Sequence, residues 1–183
     1  SIGILTNIGG AHQENFFSLQ EKCYEKLTLF KDCDVVIYDA DNEFIANCVQ
    51  KSMLPAREIA WSKRDAERPL YIRRIEKFDE YTHITYTYLG MENSYKLPYI
   101  DDASIENSLH CLAACLYLML PSEVITERMA HLEPVAMRLE VKEGKRGCLL
   151  INDSYNSDLA SLDIALDFLY RRSLSKGLKR TLI

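Results

Sequence analysis

The sequence predicts an α/β fold in which a mostly parallel sheet continues into an antiparallel meander. A short apolar run, a polar turn and an amphipathic segment follow one another twice within residues 2–52, which is typical of βαβ units. Residues 70–100 instead alternate apolar, aromatic and charged side chains, which favours antiparallel strands. A further strand–loop–helix pattern begins near residue 148 and predicts the start of a second domain.

Composition limits the classes of function that this chain can have. Its 183 residues are 48% hydrophobic and 27% charged, enough for one domain and part of another. The net charge of −5 argues against a nucleic-acid partner held by phosphate contacts. No apolar run approaches membrane-spanning length. The six cysteines include no CxxC pair, so we interpret them as small buried side chains in a reducing cytoplasm rather than zinc ligands.

The first strand–turn–helix segment begins with the apolar run of residues 2–8, which predicts a buried strand that ends at two glycines. Ligands of open α/β sheets bind just beyond the carboxyl ends of such strands. His12 and Glu14 follow at this point. Ser18 is a predicted N-cap of the next helix, because apolar residues recur at helical spacing up to residue 30.

The second strand–turn–helix segment and the meander follow in order. Residues 34–38 predict a strand, residues 39–43 a polar turn and residues 43–52 a helix. The predicted strands after Pro55 are 59–62, 70–76, 81–89 and, beyond a turn at 90–93, 94–100. The meander is half exposed in this prediction and structural rather than catalytic.

Two helices and a second domain complete the prediction. Residues 105–120 form a strongly apolar helix that Pro121 ends, and residues 122–130 form a shorter helix. A domain boundary is placed near Glu133. Residues 148–151 predict a buried strand, residues 152–158 a polar loop and residues 159–171 a helix. The sheet-facing side of that last helix is predicted to carry Ser161, Ala165, Leu166 and Leu169.

Local chemistry alone leaves the candidate site residues with ordinary structural roles. A histidine beyond a strand end, such as His12, can bind a metal or act as a base. Lys26, on the edge of an amphipathic helix, is in most proteins a solvated lysine with a buried stem. Asp153 or Ser154 can simply cap the following helix, and Asn107 lies in a first turn, where asparagine is common.

Five separated segments resemble the motifs of one family in the right order. TNIGGAHQENF at residues 6–16 resembles the strand-end motif T-N-I-G-x-A-H-x-E-x-F of the Mur ligases, the ATP-dependent amino-acid ligases of peptidoglycan synthesis. The other segments are EKLTLF at 25–30, DADN at 39–42, RLE at 138–140 and INDSYN at 151–156. Their order and spacing agree with the family along nearly the whole chain.

The resemblance implies a fold and a reaction. Residues 1–133 resemble the C-terminal portion of the family's central ATPase domain, and residues 134–183 the start of its Rossmann-like C-terminal domain. The Ala11-His12 pair and the Tyr155-Asn156 pair resemble the MurF type, which joins D-alanyl-D-alanine to UDP-N-acetylmuramoyl-tripeptide through an acyl-phosphate. Folylpolyglutamate synthase or cyanophycin synthetase, which usually show Asp-His at this position, and a non-catalytic binding module remain alternatives.

The resemblance also implies site residues and cofactors, ATP and Mg²⁺. His12 and a carbamylated Lys26 would hold the second magnesium ion, since a carbamate oxygen suits a hard cation. That role requires a partly buried Lys26, and Lys22 is the competing candidate. The remaining implied contacts are Asn107 with adenine, Asp153 with ribose, Arg138 with the phosphates, Asn7 and Glu14 with substrate, and Tyr155 and Asn156 with substrate or nucleotide.

Some family features are absent from this sequence. The phosphate loop G-x-x-G-K-[ST] and the magnesium-binding glutamate that follows it lie upstream of residue 1 in the family. We therefore expect the chain to be a fragment that is inactive alone. Ala103-Ser104 replaces the family's His-Asn pair, and Ala136-Met137 precedes Arg138 where a glycine is usual. The residues around Arg138 also suggest a full chain fused to an alanine racemase.

Overall fold

The computed structural model describes residues 1–9, 16–133, 139–154, 159–177 and 179–181. The chain divides into two compact units, Ser1–His131 and Leu132–Ile183. The assignment of residues 1–133 and 134–183 to two Mur ligase domains stays a prediction. In the part of the chain that the structure describes, no helix is long and apolar enough to cross a membrane.

A six-stranded sheet in the order β1 to β6 forms the centre of the first unit. The strands are β1 Ile2–Leu5, β2 Val35–Asp39, β3 Arg57–Ser62, β4 Leu70–Lys77, β5 Thr82–Tyr88 and β6 Met91–Leu97. Strands β1 to β4 pair in parallel, and β4 to β6 pair antiparallel. The predicted α/β class, with a parallel half and an antiparallel meander, is confirmed.

The described residues of this unit form the α-helices α1 Leu19–Leu27, α2 Glu43–Ser52, α3 Asp102–Tyr117 and α4 Ser122–Ala130. The first three of these begin at a polar side chain that caps the helix. Ser18 Oγ accepts a hydrogen bond from the Glu21 amide at 3.1 Å, which confirms the predicted N-cap of α1. Asn42 caps α2 and Asp101 caps α3 in the same way. The cap at Asp101 explains why α3 begins three residues earlier than its apolar pattern indicates.

The sheet is covered on both faces in its parallel half. All five residues of β2 are buried, and alternate ones belong to different cores. Val36 and Tyr38 pack with side chains of α1 and α2, whereas Ile37 lies in the core that also holds residues of α3 and α4. This double cover fixes the carboxyl edge of the parallel strands.

Strand β1 is shorter and less buried than predicted. It ends at Leu5 rather than at residue 8, and Ile4 is 38% exposed. The strand ends at Leu5 because β1 pairs with β2 from Ile2 to Leu5 only. Residues 6–9 therefore form a loop beyond the strand.

The turn between β5 and β6 is tighter than predicted. Tyr88 pairs directly with Met91, so only Leu89 and Gly90 form the turn, and β6 begins at 91 instead of 94. Both turn residues have positive φ, 49° and 84°, as a type I′ hairpin turn requires. A leucine at such a position is uncommon, which is why the sequence pattern suggested a longer turn.

Helix α3 ends before Pro121 through its own backbone. The amides of Met119 and Leu120 donate to the carbonyl groups of Leu116 and Cys115, the pattern of a Schellman motif with Met119 in the left-handed region. The predicted helical end at residue 120 is therefore wrong by three residues. Leu120, predicted on the apolar face, is exposed.

The second unit holds an antiparallel hairpin, β7 Glu140–Glu143 and β8 Leu149–Asn152, followed by α5 Leu159–Lys176. The predicted buried strand is exposed along much of its length, and Leu150 is 53% exposed. Among the described strands, β8 pairs with β7 alone, and a two-stranded sheet buries little. On α5, Phe168 is buried while the predicted inward residue Leu166 is exposed. A Rossmann-like continuation stays a prediction.

Candidate functional site

The parallel strands β1, β2 and β3 end at one edge of the sheet, where α/β proteins bind ligands. Asn7 follows β1 in the loop of residues 6–9 and is exposed. Asp39 ends β2, and Ser62 ends β3. We name this set the carboxyl edge: residues 6–9, Asp39 to Asn42, Trp61, Ser62 and the first three turns of α3, which include His110.

Of the two candidate lysines on α1, Lys22 is the buried one. It is 4% exposed, and its Nζ donates a hydrogen bond to the Gly9 carbonyl at 2.8 Å. Lys26 is exposed, so the expected partial burial of Lys26 is not observed. Lys22 lies one helical turn closer to the N-terminus of α1, which brings its side chain within reach of the loop after β1. The carbamate assignment to Lys26 therefore rests on motif spacing alone and stays a proposal.

Asp41 joins the ends of β2 and β3. Its carboxylate accepts hydrogen bonds from Ser62 Oγ and from the Lys63 amide. Its own amide donates to Asp39 Oδ1 at 2.9 Å. Burial raises the pKa of Asp39, against the hydrogen bond from the Asp41 amide, which lowers it. The DADN turn thus has a structural reason for both aspartates, independent of any ligand.

Helix α3 presents two polar side chains at this edge. Asn107 is exposed and therefore accessible to a ligand. Glu106 is half-buried, and burial raises the pKa of its carboxyl, with the negative charge of Asp39 adding to the effect. The two carboxyl groups are close enough to influence each other, which places the start of α3 against the end of β2.

A buried polar pair at this edge does not follow from the sequence pattern. Trp61 Nε1 donates to His110 Nδ1 at 3.2 Å, and the two rings meet edge to face. Both side chains are buried, and His110 is 1% exposed. Burial lowers the pKa of His110 to about 4, so the ring is neutral at neutral pH. A polar residue within the apolar stretch of α3 was the one available signal, and Trp61 is 49 residues away.

In the second unit, Asp153 contacts the other end of the hairpin. Its Oδ1 accepts from the Leu139 amide at 3.1 Å. Residues 155–158, which precede the described part of α5, lie outside the described residues, so the predicted N-cap at Asp153 or Ser154 stays a prediction. Ser154 Oγ donates to Asn152 Oδ1. Asp153 is half-buried. Its hydrogen bond holds it beside the backbone that follows Arg138.

The structure describes only some of the predicted site residues. Asn7, Lys26 and Asn107 belong to the first unit, and Asp153 belongs to the second. The others lie outside the described residues: His12, Glu14, Arg138, Tyr155 and Asn156.

The described residues alone do not form a metal site. Among them, no group of three or more histidine, cysteine, aspartate or glutamate side chains could hold a metal ion. The predicted magnesium donors are His12, outside the described residues, and Lys26, whose amine becomes an oxygen donor only after carbamylation. No metal-dependent step follows from the described geometry.

The chain is similar to known ligases along most of its length. The family model of the Mur ligase middle domain matches residues 1–115. The UDP-N-acetylmuramoyl-tripeptide–D-alanyl-D-alanine ligase of Bacillus subtilis is 25% identical over 89% of this chain, and that of Borreliella burgdorferi is 26% identical over 87%. The chain spans about a third of these curated relatives, 35% and 34% of their lengths.

Solved structures show the same fold. MurF from Acinetobacter baumannii has a TM-score of 0.79 at 19% identity, over 93% of this chain and 37% of its own. MurF ligase from Thermotoga maritima in complex with ADP has a TM-score of 0.72 at 19% identity, over 93% and 39%. The apo form of L. casei FPGS, a folylpolyglutamate synthase, has a TM-score of 0.67 at 13% identity, over 99% and 43%.

Proposed function

The chain belongs to the Mur ligase family, and from that premise we propose that it is part of an ATP-dependent ligase that joins D-alanyl-D-alanine to UDP-N-acetylmuramoyl-tripeptide in peptidoglycan synthesis. The observation that carries the proposal is that two relatives of this name align along 89% and 87% of the chain. The alignments extend well beyond residue 115, where the family model ends.

The reaction joins a carboxylate to an amine. ATP phosphorylates the tripeptide carboxylate, and the amine of D-alanyl-D-alanine attacks the acyl-phosphate. The tetrahedral intermediate then collapses and releases phosphate. Both the γ-phosphate and the carboxylate are anions, so cationic groups must bring them together. A magnesium ion held by His12 and carbamylated Lys26 would neutralise part of this charge when bound.

Two described residues, one in each unit, support nucleotide binding. Asn107 is exposed at the start of α3, where its amide can both donate to and accept from an adenine ring. Asp153 is half-buried, and its carboxylate can accept from ribose hydroxyl groups. The ADP complex of the Thermotoga maritima ligase supports nucleotide binding by this fold.

The remaining assignments are finer parts of the same proposal. Arg138 would contact the phosphates as a planar fork of donors. Asn7 and Glu14 would contact substrate, and Tyr155 and Asn156 would contact substrate or nucleotide. A cytoplasmic location belongs to the proposal as well. The comparisons give no support to a fused alanine racemase, and we do not propose one.

The test is turnover by the full-length protein. We expect ATP-dependent phosphate release only when both the UDP-linked tripeptide and D-alanyl-D-alanine are present. Phosphate release with glutamate and a folate, but not with this pair, would replace the proposal with a folylpolyglutamate synthase. The L. casei structure shows that such an enzyme has the same fold as this chain. A full-length protein that binds ATP but releases no phosphate with either pair would instead be a binding module.

A further inference from the structure

The pair of Trp61 and His110 leaves one buried polar atom without a partner. Because the indole N–H of Trp61 donates to His110 Nδ1, the neutral imidazole carries its proton on Nε2. That Nε2 atom is buried and makes no hydrogen bond of good geometry to the described residues. A buried donor without a partner is costly, so Nε2 is a group that needs an acceptor.

The backbone of Thr6 lies near this ring. It raises the pKa of His110 in the direction expected of a carbonyl that accepts from the ring, against the larger effect of burial. Thr6 is the first residue after β1 and directly precedes Asn7. His110 therefore lies between the end of β1 and the end of β3, on either side of β2.

The position of His110 on α3 links this contact to the candidate nucleotide site. Asn107 precedes His110 by three residues, so the two side chains are neighbours along the helix. A shift of His110 along or around the helix axis would move Asn107 with it. The hydrogen bond to Trp61 fixes that position relative to β3.

We propose that His110 is a positioning residue that ties α3 to the ends of β3 and β1, through Trp61 on one ring nitrogen and the Thr6 carbonyl on the other. Its Nε2–H completes the hydrogen bond to Thr6 in the intact site. The bridge holds Asn107 and Asn7 at a fixed separation across the carboxyl edge. This role rests on the proposed function, because it acts on nucleotide binding by the ligase.

The test compares three variants of the full-length protein. His110→Leu removes both hydrogen bonds and fills the space with an apolar side chain. His110→Gln keeps a donor near the Nε2 position. Trp61→Phe removes only the hydrogen bond from β3. We expect His110→Leu to raise KM for ATP about tenfold, the effect of one well-formed hydrogen bond. His110→Gln should recover most of this loss, and Trp61→Phe should fall between them.

Two controls separate positioning from stability. His83→Leu alters a half-buried histidine of β5 and should leave KM for ATP unchanged. Thermal unfolding of each variant shows whether it is folded at the assay temperature. A folded His110→Leu variant with KM and kcat within about twofold of wild type would overturn the proposal. So would a His110→Gln variant as impaired as His110→Leu.

Nuclear magnetic resonance tests whether His110 bridges Trp61 and Thr6, and the measurement does not depend on ligase activity. We expect the nitrogen shifts of His110 to show a neutral ring protonated on Nε2, and Trp61→Phe to move the backbone shifts of Thr6 and Asn107. A ring protonated on Nδ1, or unmoved shifts at both residues, would contradict the bridge. A wild-type protein with this tautomer and no ligase activity would refute the proposed function and leave the bridge standing.

Discussion

The two halves of the sheet stabilise themselves with different chemistry. The parallel half holds buried and half-buried titratable groups at its carboxyl edge, where burial raises the pKa of Asp39 and of Glu106 and lowers that of His110. The meander packs aromatic rings, with Tyr86 and Tyr95 edge to face at 6.2 Å. Shifted titrating groups near strand ends are typical of functional sites, whereas cross-strand aromatic pairs stabilise sheets. Burial also raises the pKa of Tyr86 and Tyr95, so the halves differ in where their polar groups lie: at strand ends in the parallel half and between packed rings in the meander. We therefore propose that function belongs to the parallel half, and we expect truncations in the meander to act mainly on stability.

The largest expected effect comes from removing the proposed carbamate of Lys26. In the full-length protein, Lys26→Ala should abolish turnover, because a carbamate can no longer form, and a small carboxylate added in solution should rescue part of it. Lys22→Ala is the matched variant, since it removes the buried lysine on the same helix and its hydrogen bond to Gly9. Steady-state phosphate release measures both variants. Normal turnover by Lys26→Ala, with loss and carboxylate rescue in Lys22→Ala, would move the carbamate to Lys22.

Truncation in the meander should cost stability and spare chemistry. Tyr86 is 1% exposed at the centre of the larger core, so Tyr86→Ala should lower the free energy of unfolding by about 3–5 kcal/mol. Met91→Ala, at an exposed position of β6, is the control and should change it by less than about 0.5 kcal/mol. Urea unfolding measures both. Loss of less than about 1 kcal/mol in Tyr86→Ala would show that the meander is not a main source of stability.

Acid should destabilise the parallel half through His110. Burial lowers the pKa of this residue in the folded chain to about 4, below its ordinary value of 6.5. The unfolded chain therefore binds more protons between these values, so stability is full above pH 6.5 and falls as the pH drops to 4, by roughly 3 kcal/mol. His110→Gln should remove this slope in urea unfolding series at several pH values. The raised pKa values of Asp39 and Glu106 make the folded chain more stable as the pH falls, which is the opposite direction. This contribution is the same in the wild type and in His110→Gln, so the difference between the two reports His110 alone.

The smallest effect concerns the turn of the meander. Leu89 has a φ of 49° and is 66% exposed, so it bears backbone strain without burying its side chain fully. Leu89→Asn should raise the free energy of unfolding by about 1 kcal/mol, because asparagine adopts this conformation readily. Leu89→Val is the opposite control and should lower it, since β-branched residues disfavour positive φ. Equal stabilities of the two variants in urea unfolding would argue against a strained turn.

Sequence patterns predicted the elements better than their contacts. Residues 34–38, 43–52 and 122–130 form the expected strand and helices, because local periodicity and caps such as Ser18 decide them. The turn at Leu89 was predicted too long, because nothing local indicates a leucine with positive φ. The burial of Lys22 instead of Lys26 depends on the loop after β1, which helical spacing cannot show.

The candidate site was predicted mainly through motif resemblance. Spacing placed Asn7 at the end of β1 and Asn107 near the start of α3, and the structure has both there, exposed. The contact of Trp61 with His110 joins elements 49 residues apart, and no local pattern encodes such a pairing. Asp153 accepts a hydrogen bond from the Leu139 amide across the hairpin, a contact that the sequence pattern does not indicate.

The most direct test of the account is the product formed by the full-length protein. Incubated with ATP, UDP-N-acetylmuramoyl-tripeptide and D-alanyl-D-alanine, it should form the UDP-linked pentapeptide, detected by mass, together with ADP and phosphate. Asn107→Ala should slow this reaction mainly by raising KM for ATP, whereas the exposed meander variant Met91→Ala should not. A full-length protein that forms no pentapeptide under these conditions, or an Asn107→Ala variant with unchanged KM, would contradict a ligase site at the carboxyl edge.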